Sequence, residues 1–173
     1  MGDGYVRDQI LRFLTQMEAR PLRAASLACR SAIAEHEWGL EGIDLYIPHI
    51  VCRVASWRRC FPCATYAHVS VCGRRCVPRL SDADLAHLHG IHTLHIESSC
   101  ALITDAGIAH LCGIHTLRMW SCPLITDAGL VHLSGIHTLH VTNCPQLSSK
   151  GLAELREGGT TIVNAAMGVW DWW

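Results

Sequence analysis

Long hydrophobic runs are missing from this chain: no window reaches the roughly 20 consecutive apolar residues that a membrane span requires. Charge is sparse as well. Only 17% of the 173 residues are Asp, Glu, Lys or Arg, and 14 basic residues nearly cancel 15 acidic ones. A formal charge of −1 offers no general attraction to nucleic acid or to an acidic membrane surface. Catalytic signatures are equally absent: there is no phosphate-binding loop, nucleophile elbow or paired-carboxylate arrangement, so neither an enzyme nor a cofactor is expected. The opening Met1-Gly2-Asp3-Gly4-Tyr5-Val6 lacks the basic flank and apolar run of a secretory signal. Val6 also stands where a myristoylation motif wants Ser or Thr. A cytoplasmic or nuclear location is therefore expected. In that reducing setting the 10 Cys are expected to be buried thiols or metal ligands rather than disulfides.

What the chain does contain is apolar material, at 50% of residues, and an internal repeat. Residues 81–103, 104–125 and 126–147 superimpose, each carrying Gly-Ile-His-Thr-Leu, and a degenerate copy follows at 148–163 with Gly158 and Gly159 where the Ile-His pair is expected. The second and third copies are 22 residues long, and the first has one more residue before its Cys. In the second copy Ile108 and Leu111 are spaced as on one helix face, while Leu117 and Met119 are spaced as on one strand face. Thr104 and Thr126 are placed to cap helices, and Ser81-x-x-Asp84 has capping-box spacing. Gly90, Gly113 and Gly135 fall where a left-handed residue would end a helix. Each copy is thus expected to be a short helix, a turn and a very short strand. One copy cannot bury its own apolar face, so the copies must stack.

The frame L-x-x-L-x-x-I-x-x-L-x-I-x-x-C-x-x-I-T-D-A-G resembles the cysteine-containing leucine-rich repeats of F-box proteins, over about residues 64–163. The resemblance implies an α/β leucine-rich-repeat solenoid, with parallel strands on its concave side and short helices on its convex side. It also implies that Cys100, Cys122 and Cys144 form a column of buried thiols bonded to loop backbone. Like-pointing parallel Cβ vectors make disulfides between them unfavourable.

Towards the N-terminus, Ile10, Phe13, Leu14 and Met17 have the spacing of an amphipathic helix. Pro21 suits the start of a second helix, whose apolar face would be Leu22, Ala25, Cys29, Ala32 and Ile33. The runs Ile10-Leu11-Arg12-Phe13-Leu14 and Pro21-Leu22-Arg23-Ala24-Ala25-Ser26-Leu27-Ala28-Cys29-Arg30 resemble an F-box, although Tyr5-Val6 replaces its opening Leu-Pro. The resemblance implies that Ile10, Leu11, Leu14, Pro21, Leu22, Leu27 and Cys29 contact a Skp-type adaptor of a cullin–RING ubiquitin ligase. A helical cap over the first coil is the alternative. The expected organisation is a helical F-box-like module at 1–40 and a solenoid at 41–163, with irregular repeats over 41–80. A Trp-rich cap or tail follows at 164–173.

Within the irregular region, residues 40–47 read as a first strand, and Tyr66-Ala67-His68-Val69 aligns with Thr138-Leu139-His140-Val141. Cys60, Cys63, His68 and Cys72 come near the spacing of a zinc knuckle, with Cys76 able to replace Cys72. The minority reading is a zinc-stabilised module. The repeat alignment already accounts for His68 and Cys72, and no metal is expected.

Function is expected on the strand residues that alternate with the buried ones: Thr93, His95 and Glu97, then Thr116, Arg118 and Trp120, then Thr138, His140 and Thr142. Arg and Trp are favoured binding anchors, which makes His95, Arg118, Trp120 and His140 the candidate contacts for a target protein. The repeat also aligns His87, His110 and His132, and separately His92, His115 and His137. Imidazoles stacked in that way would resist simultaneous protonation.

Overall fold

The computed structural model describes residues 27–35, 54–69, 80–96 and 101–164. Helices α1 (Leu27–Glu35) and α2 (Val54–Cys60) precede strand β1 (Tyr66–Val69). There follow α3 (Asp82–Ala86), β2 (Thr93–Ile96), α4 (Asp105–Ala109), β3 (Thr116–Trp120), α5 (Asp127–Val131) and β4 (Thr138–Thr142). A longer helix, α6 (Ser149–Glu157), and β5 (Thr161–Asn164) close the described chain. The strands form one parallel sheet in the order β1-β2-β3-β4-β5, and helices α3 to α6 stack in the same order. The chain is an α/β protein of repeated helix–strand coils.

Local chemistry starts each helix. Thr104 and Thr126 accept from the amides of Ala106 and Ala128 at 3.2 Å, and the Asp84 carboxylate accepts from the amide of Ser81 at 3.0 Å and from its hydroxyl at 2.8 Å. Helices α3, α4 and α5 last only five residues, and the caps that end them are His87, His110 and His132 in right-handed conformation. The expected left-handed glycines lie three residues further on, where Gly90, Gly113 and Gly135 have φ of 74°, 82° and 85°. They turn the chain into the next strand, a conformation that glycine adopts without steric cost.

The register answers to the repeat residue by residue. Ala67, Leu94, Leu117, Leu139 and Ile162 are paired across the sheet, as are Val69, Ile96, Met119 and Val141. These side chains face the helices, where Leu85, Ile108 and Leu130 meet them in a single continuous core. Leu117 and Met119 point inward as their spacing demands.

Several details depart from the repeat reading. Helix α2 was not foreseen within the irregular region, although Val54, Trp57 and Phe61 have helical spacing and all are buried. The rings of Trp57 and Phe61 lie 6.2 Å apart. Arg58 ties α2 to its surroundings, donating to the carbonyls of Ala64 at 2.8 Å and His89 at 3.1 Å. In the closing coil, Thr161 stands opposite Thr138, so Gly159 and Thr160 hold the positions expected for Gly158 and Gly159. The nine-residue α6 absorbs the shift. Strand β5 runs through Asn164, one residue beyond the expected end of the repeats.

Helix α1 falls within the span expected for the second N-terminal helix, and its Ala32 and Ile33 join the common core. Ile10, Leu11, Leu14, Pro21 and Leu22 lie outside the described residues, as do the side chains of Leu27 and Cys29. The expected strand at 40–47 and the Trp-rich segment beyond 164 also lie outside them.

Candidate functional site: the outer face of the sheet

Because side chains alternate along a strand, the residues between the buried ones face away from the helices. The pairing brings His68, His95, Arg118, His140 and Val163 into one row across the sheet. A second row holds Tyr66, Thr93, Thr116, Thr138 and Thr161, and Trp120 sits opposite Thr142 in a third. Three of the four candidate contacts, His95, Arg118 and His140, are therefore immediate cross-strand neighbours. Trp120 lies two residues beyond Arg118 on the same face.

The row is not uniform. At its β1 end the Tyr66 hydroxyl lies 3.3 Å from Nδ1 of His95, and the two rings meet edge to face with centroids 5.3 Å apart. The rings of His68 and His95 are 6.0 Å apart. Thr93, placed among the outward residues, is instead buried, with Tyr66 opposite it on β1 and its hydroxyl bonded to the His92 ring. Towards the middle the face opens: Arg118 is exposed, and His95, Trp120 and His140 are half-buried. Desolvation and then the Arg118 charge hold His140 below the ordinary imidazole range. Glu97 lies outside the described residues.

Beside this face runs a file of histidines. His92 and His115 stack with centroids 4.4 Å apart, and His115 and His137 with centroids 4.5 Å apart, their planes within 15° and 9° of parallel. Nδ1 of each ring is hydrogen-bonded to the hydroxyl of the next Thr, at 3.1, 3.1 and 2.9 Å. Desolvation lowers the pKa of His115, and repulsion from His92 and His137 lowers it further. The other set, His87, His110 and His132, is exposed at the helix ends.

Of the expected column of buried thiols bonded to loop backbone, two members are described: Cys122 is buried but Cys144 is half-buried, and both reach the last carbonyl of the strand before them. The Cys122 thiol reaches the Trp120 carbonyl at 3.7 Å; that of Cys144 reaches the Thr142 carbonyl at 3.5 Å. Hydrogen bonding from the Cys122 side chain brings the Cys144 thiol down to about 7, against the opposing effect of burial. Cys100 lies outside the described residues.

One set of polar residues has a role that the sequence reading missed. Taken locally, Asp105 and Asp127 do no more than open helices α4 and α5. The structure joins each to the following coil: Asp82 accepts from the amide and hydroxyl of Thr104 at 2.8 and 2.7 Å, and Asp105 from those of Thr126 at the same distances. Asp127 accepts in the same way from Ser148, whose bonds hold its carboxyl below the ordinary range. Gly107, Gly129 and Gly151 leave room for these carboxylates, since a Cβ at any of them would collide with the Asp of the preceding coil. The recurrence of Thr-Asp-Ala-Gly itself carried the signal.

Of the zinc-knuckle residues, Cys63 is exposed in the turn after α2, and His68 lies in β1 with its ring against His95. Cys72 lies outside the described residues, as does the Cys60 side chain. Among the described residues no group of three or more His, Cys, Asp or Glu is placed to hold a metal ion. None of the described helices is long and apolar enough to cross a membrane.

Among the described residues the outer face carries one fixed charge, Arg118, several hydrogen-bonding rings and an adjacent indole. No protein-family model matches the chain, and no curated protein matches it either.

Proposed function

We propose that this chain is a leucine-rich-repeat protein of the cysteine-containing kind, which binds a target protein on the concave face of its sheet. The observation that carries the proposal is the row His95-Arg118-His140, three adjacent outward residues in register, with Trp120 beside them. Around it, the repeated residues are engaged with one another across the coils. That row varies along the sheet, from His95 to Arg118 to His140 to Val163, whereas the outward row beside it, Thr93, Thr116, Thr138 and Thr161, is constant.

The F-box-like sequence at residues 5–40 extends this reading. Through Ile10, Leu11, Leu14, Pro21, Leu22, Leu27 and Cys29 it would dock a Skp-type adaptor, making the chain a substrate adaptor of a cullin–RING ubiquitin ligase. What supports the link is the order of the two sequence patterns, F-box-like first and cysteine-type repeats second. Co-purification with a Skp-type adaptor tests it. Binding should be lost when Leu22 and Leu27 are changed to Asp, while circular dichroism shows the solenoid still folded. Failure of the folded wild-type protein to bind removes the ligase link and leaves a repeat scaffold.

A further inference from the structure

The outward positions have an asymmetry of charge that says what kind of target they fit. Among the described residues, those on the outer face of the five strands are Tyr, His, Thr, Arg, Trp and Val, with no Asp or Glu. Carboxylates are plentiful elsewhere, but Asp82, Asp105 and Asp127 lie on the helix side of the coils, bonded to Thr104, Thr126 and Ser148. Arg118 is exposed, and no salt bridge engages it among the described residues. Its row neighbours are His95 and His140, neither of which can neutralise it. Among the described residues the face therefore presents a guanidinium flanked by imidazoles and holds no counter-charge, Glu97 lying outside them.

We infer that the row His95-Arg118-His140, with Trp120 beside it, recognises a short acidic peptide segment that also carries an apolar side chain. This rests on the sheet face being the target surface, as proposed above, and adds the chemistry of the target. Three features support it. A guanidinium presents a planar fork of donors that matches a carboxylate in two parallel hydrogen bonds. Trp120, two residues along the same strand, offers an amphipathic ring against which an apolar neighbour can pack. Neighbouring strands are about 4.8 Å apart and successive same-side residues of an extended peptide about 6.8 Å apart. A few residues thus span the whole row. A nucleic acid fits less well, because its affinity is built from several phosphate contacts to Lys and Arg. This face supplies a single fixed cation among the described residues.

Selection from a random peptide display library, using the full-length chain as bait, tests the inference. The same selection is run on Arg118→Glu and Trp120→Ala, with folding checked by circular dichroism. Wild-type protein should enrich peptides that combine Asp or Glu with an apolar residue. These should bind the milder Arg118→Gln up to about five-fold more weakly and Arg118→Glu more weakly still, and Arg118→Glu should itself enrich basic peptides. Peptides without acidic residues that still lose binding on Trp120→Ala would overturn the acidic specificity while keeping the face as the docking surface. Binders indifferent to both positions, or no binders at all, would overturn the face as well. A single-stranded oligonucleotide binding as tightly as the selected peptides would show that polyanion charge, and not a peptide, is the ligand.

Discussion

The two sides of each coil use polar residues in opposite ways. On the helix side Asp82, Asp105 and Asp127 each take two hydrogen bonds from the next coil, and a glycine in that coil leaves room for the carboxylate. On the outer sheet face, Arg118 is exposed and unpaired among the described residues, and Trp120 is half-buried beside it. The first side is nearly identical from coil to coil; on the second the Thr93-Thr116-Thr138 row is equally constant, and the change is confined to the row in which His95, Arg118 and His140 occupy one position in three successive coils. The contrast teaches that within one array of repeats, sameness marks residues that hold coils together, and difference marks residues available to a partner.

The largest effect should come from the neighbours Leu117 and Arg118, which point to opposite sides of β3. Leu117 is wholly buried, and Leu117→Ala should lower stability by about 2–5 kcal/mol through lost burial and the cavity left behind. Arg118→Ala should change it by no more than about 0.5 kcal/mol, as is usual at exposed positions. Urea unfolding of both variants measures this directly. A comparable loss from Arg118→Ala would show that the outer face is structural after all.

Next in size is the clamp between coils. Asp105→Ala removes the acceptor of two hydrogen bonds to Thr126, and loss of one bond to a charged group costs about 1.5–3 kcal/mol. Gly129→Ala should be destabilising as well, because its Cβ would collide with that same carboxylate. If the clamp is the cause, the double variant Asp105→Ala/Gly129→Ala will be less destabilised than the sum of the two, since the small side chain at 105 frees the space. Strict additivity in thermal unfolding would refute the clamp.

Much of this was legible because a repeat repeats its own register. The spacing of Leu117 and Met119 assigned the buried face of β3, and alignment of Tyr66-Ala67-His68-Val69 with 138–141 anticipated the pairing of β1 with β2. From those two readings the row His95-Arg118-His140 followed. What did not follow were properties that depend on the next coil. The Asp-to-Thr bonds join residues 21 or 22 positions apart, so a local reading of Thr-Asp-Ala-Gly finds only a helix start. Thr93 is buried where Thr116 and Thr138 are half-buried, and its partner on the preceding strand is Tyr66 and not a Thr; helix α2 has no counterpart in the regular copies to announce it. The shift in the closing coil arises because α6 is nine residues long where its predecessors have five.

Smaller again is an effect within the thiol column. Cys144 should alkylate with an apparent pKa of about 7, because the Cys122 side chain stabilises its thiolate. Cys122→Ala should move that value up towards the ordinary 9.0 and slow alkylation near neutrality. Residue-resolved mass spectrometry after timed iodoacetamide treatment follows Cys144 apart from the exposed Cys63 and Cys112. An unchanged profile in Cys122→Ala would mean that the two thiols are in the same column without acting on each other.

The smallest expected effect belongs to the histidine file, which combines sameness with exposure and so tests where the contrast between the two sides gives out. His115 has a folded-state pKa below its ordinary 6.5, from desolvation first and then from His92 and His137 on either side. The folded state therefore holds fewer protons than the unfolded state between the two values, and stability must rise with pH across that window. Acidification from pH 7.5 should accordingly lower the melting temperature as the pH passes through 6.5 and towards the folded value. His140, lowered in the same direction, adds to the slope. Asp127 acts only further down, near and below its ordinary 3.8. His115→Gln removes the central charge and separates the outer two rings electrically, so its melting temperature should depend less steeply on pH over the same window. Because the stack is exposed, salt should weaken the repulsive part and flatten the wild-type curve as well. An equally steep curve for His115→Gln would mean that the stacked rings do not influence one another, and that the file is held only by the backbone register beneath it.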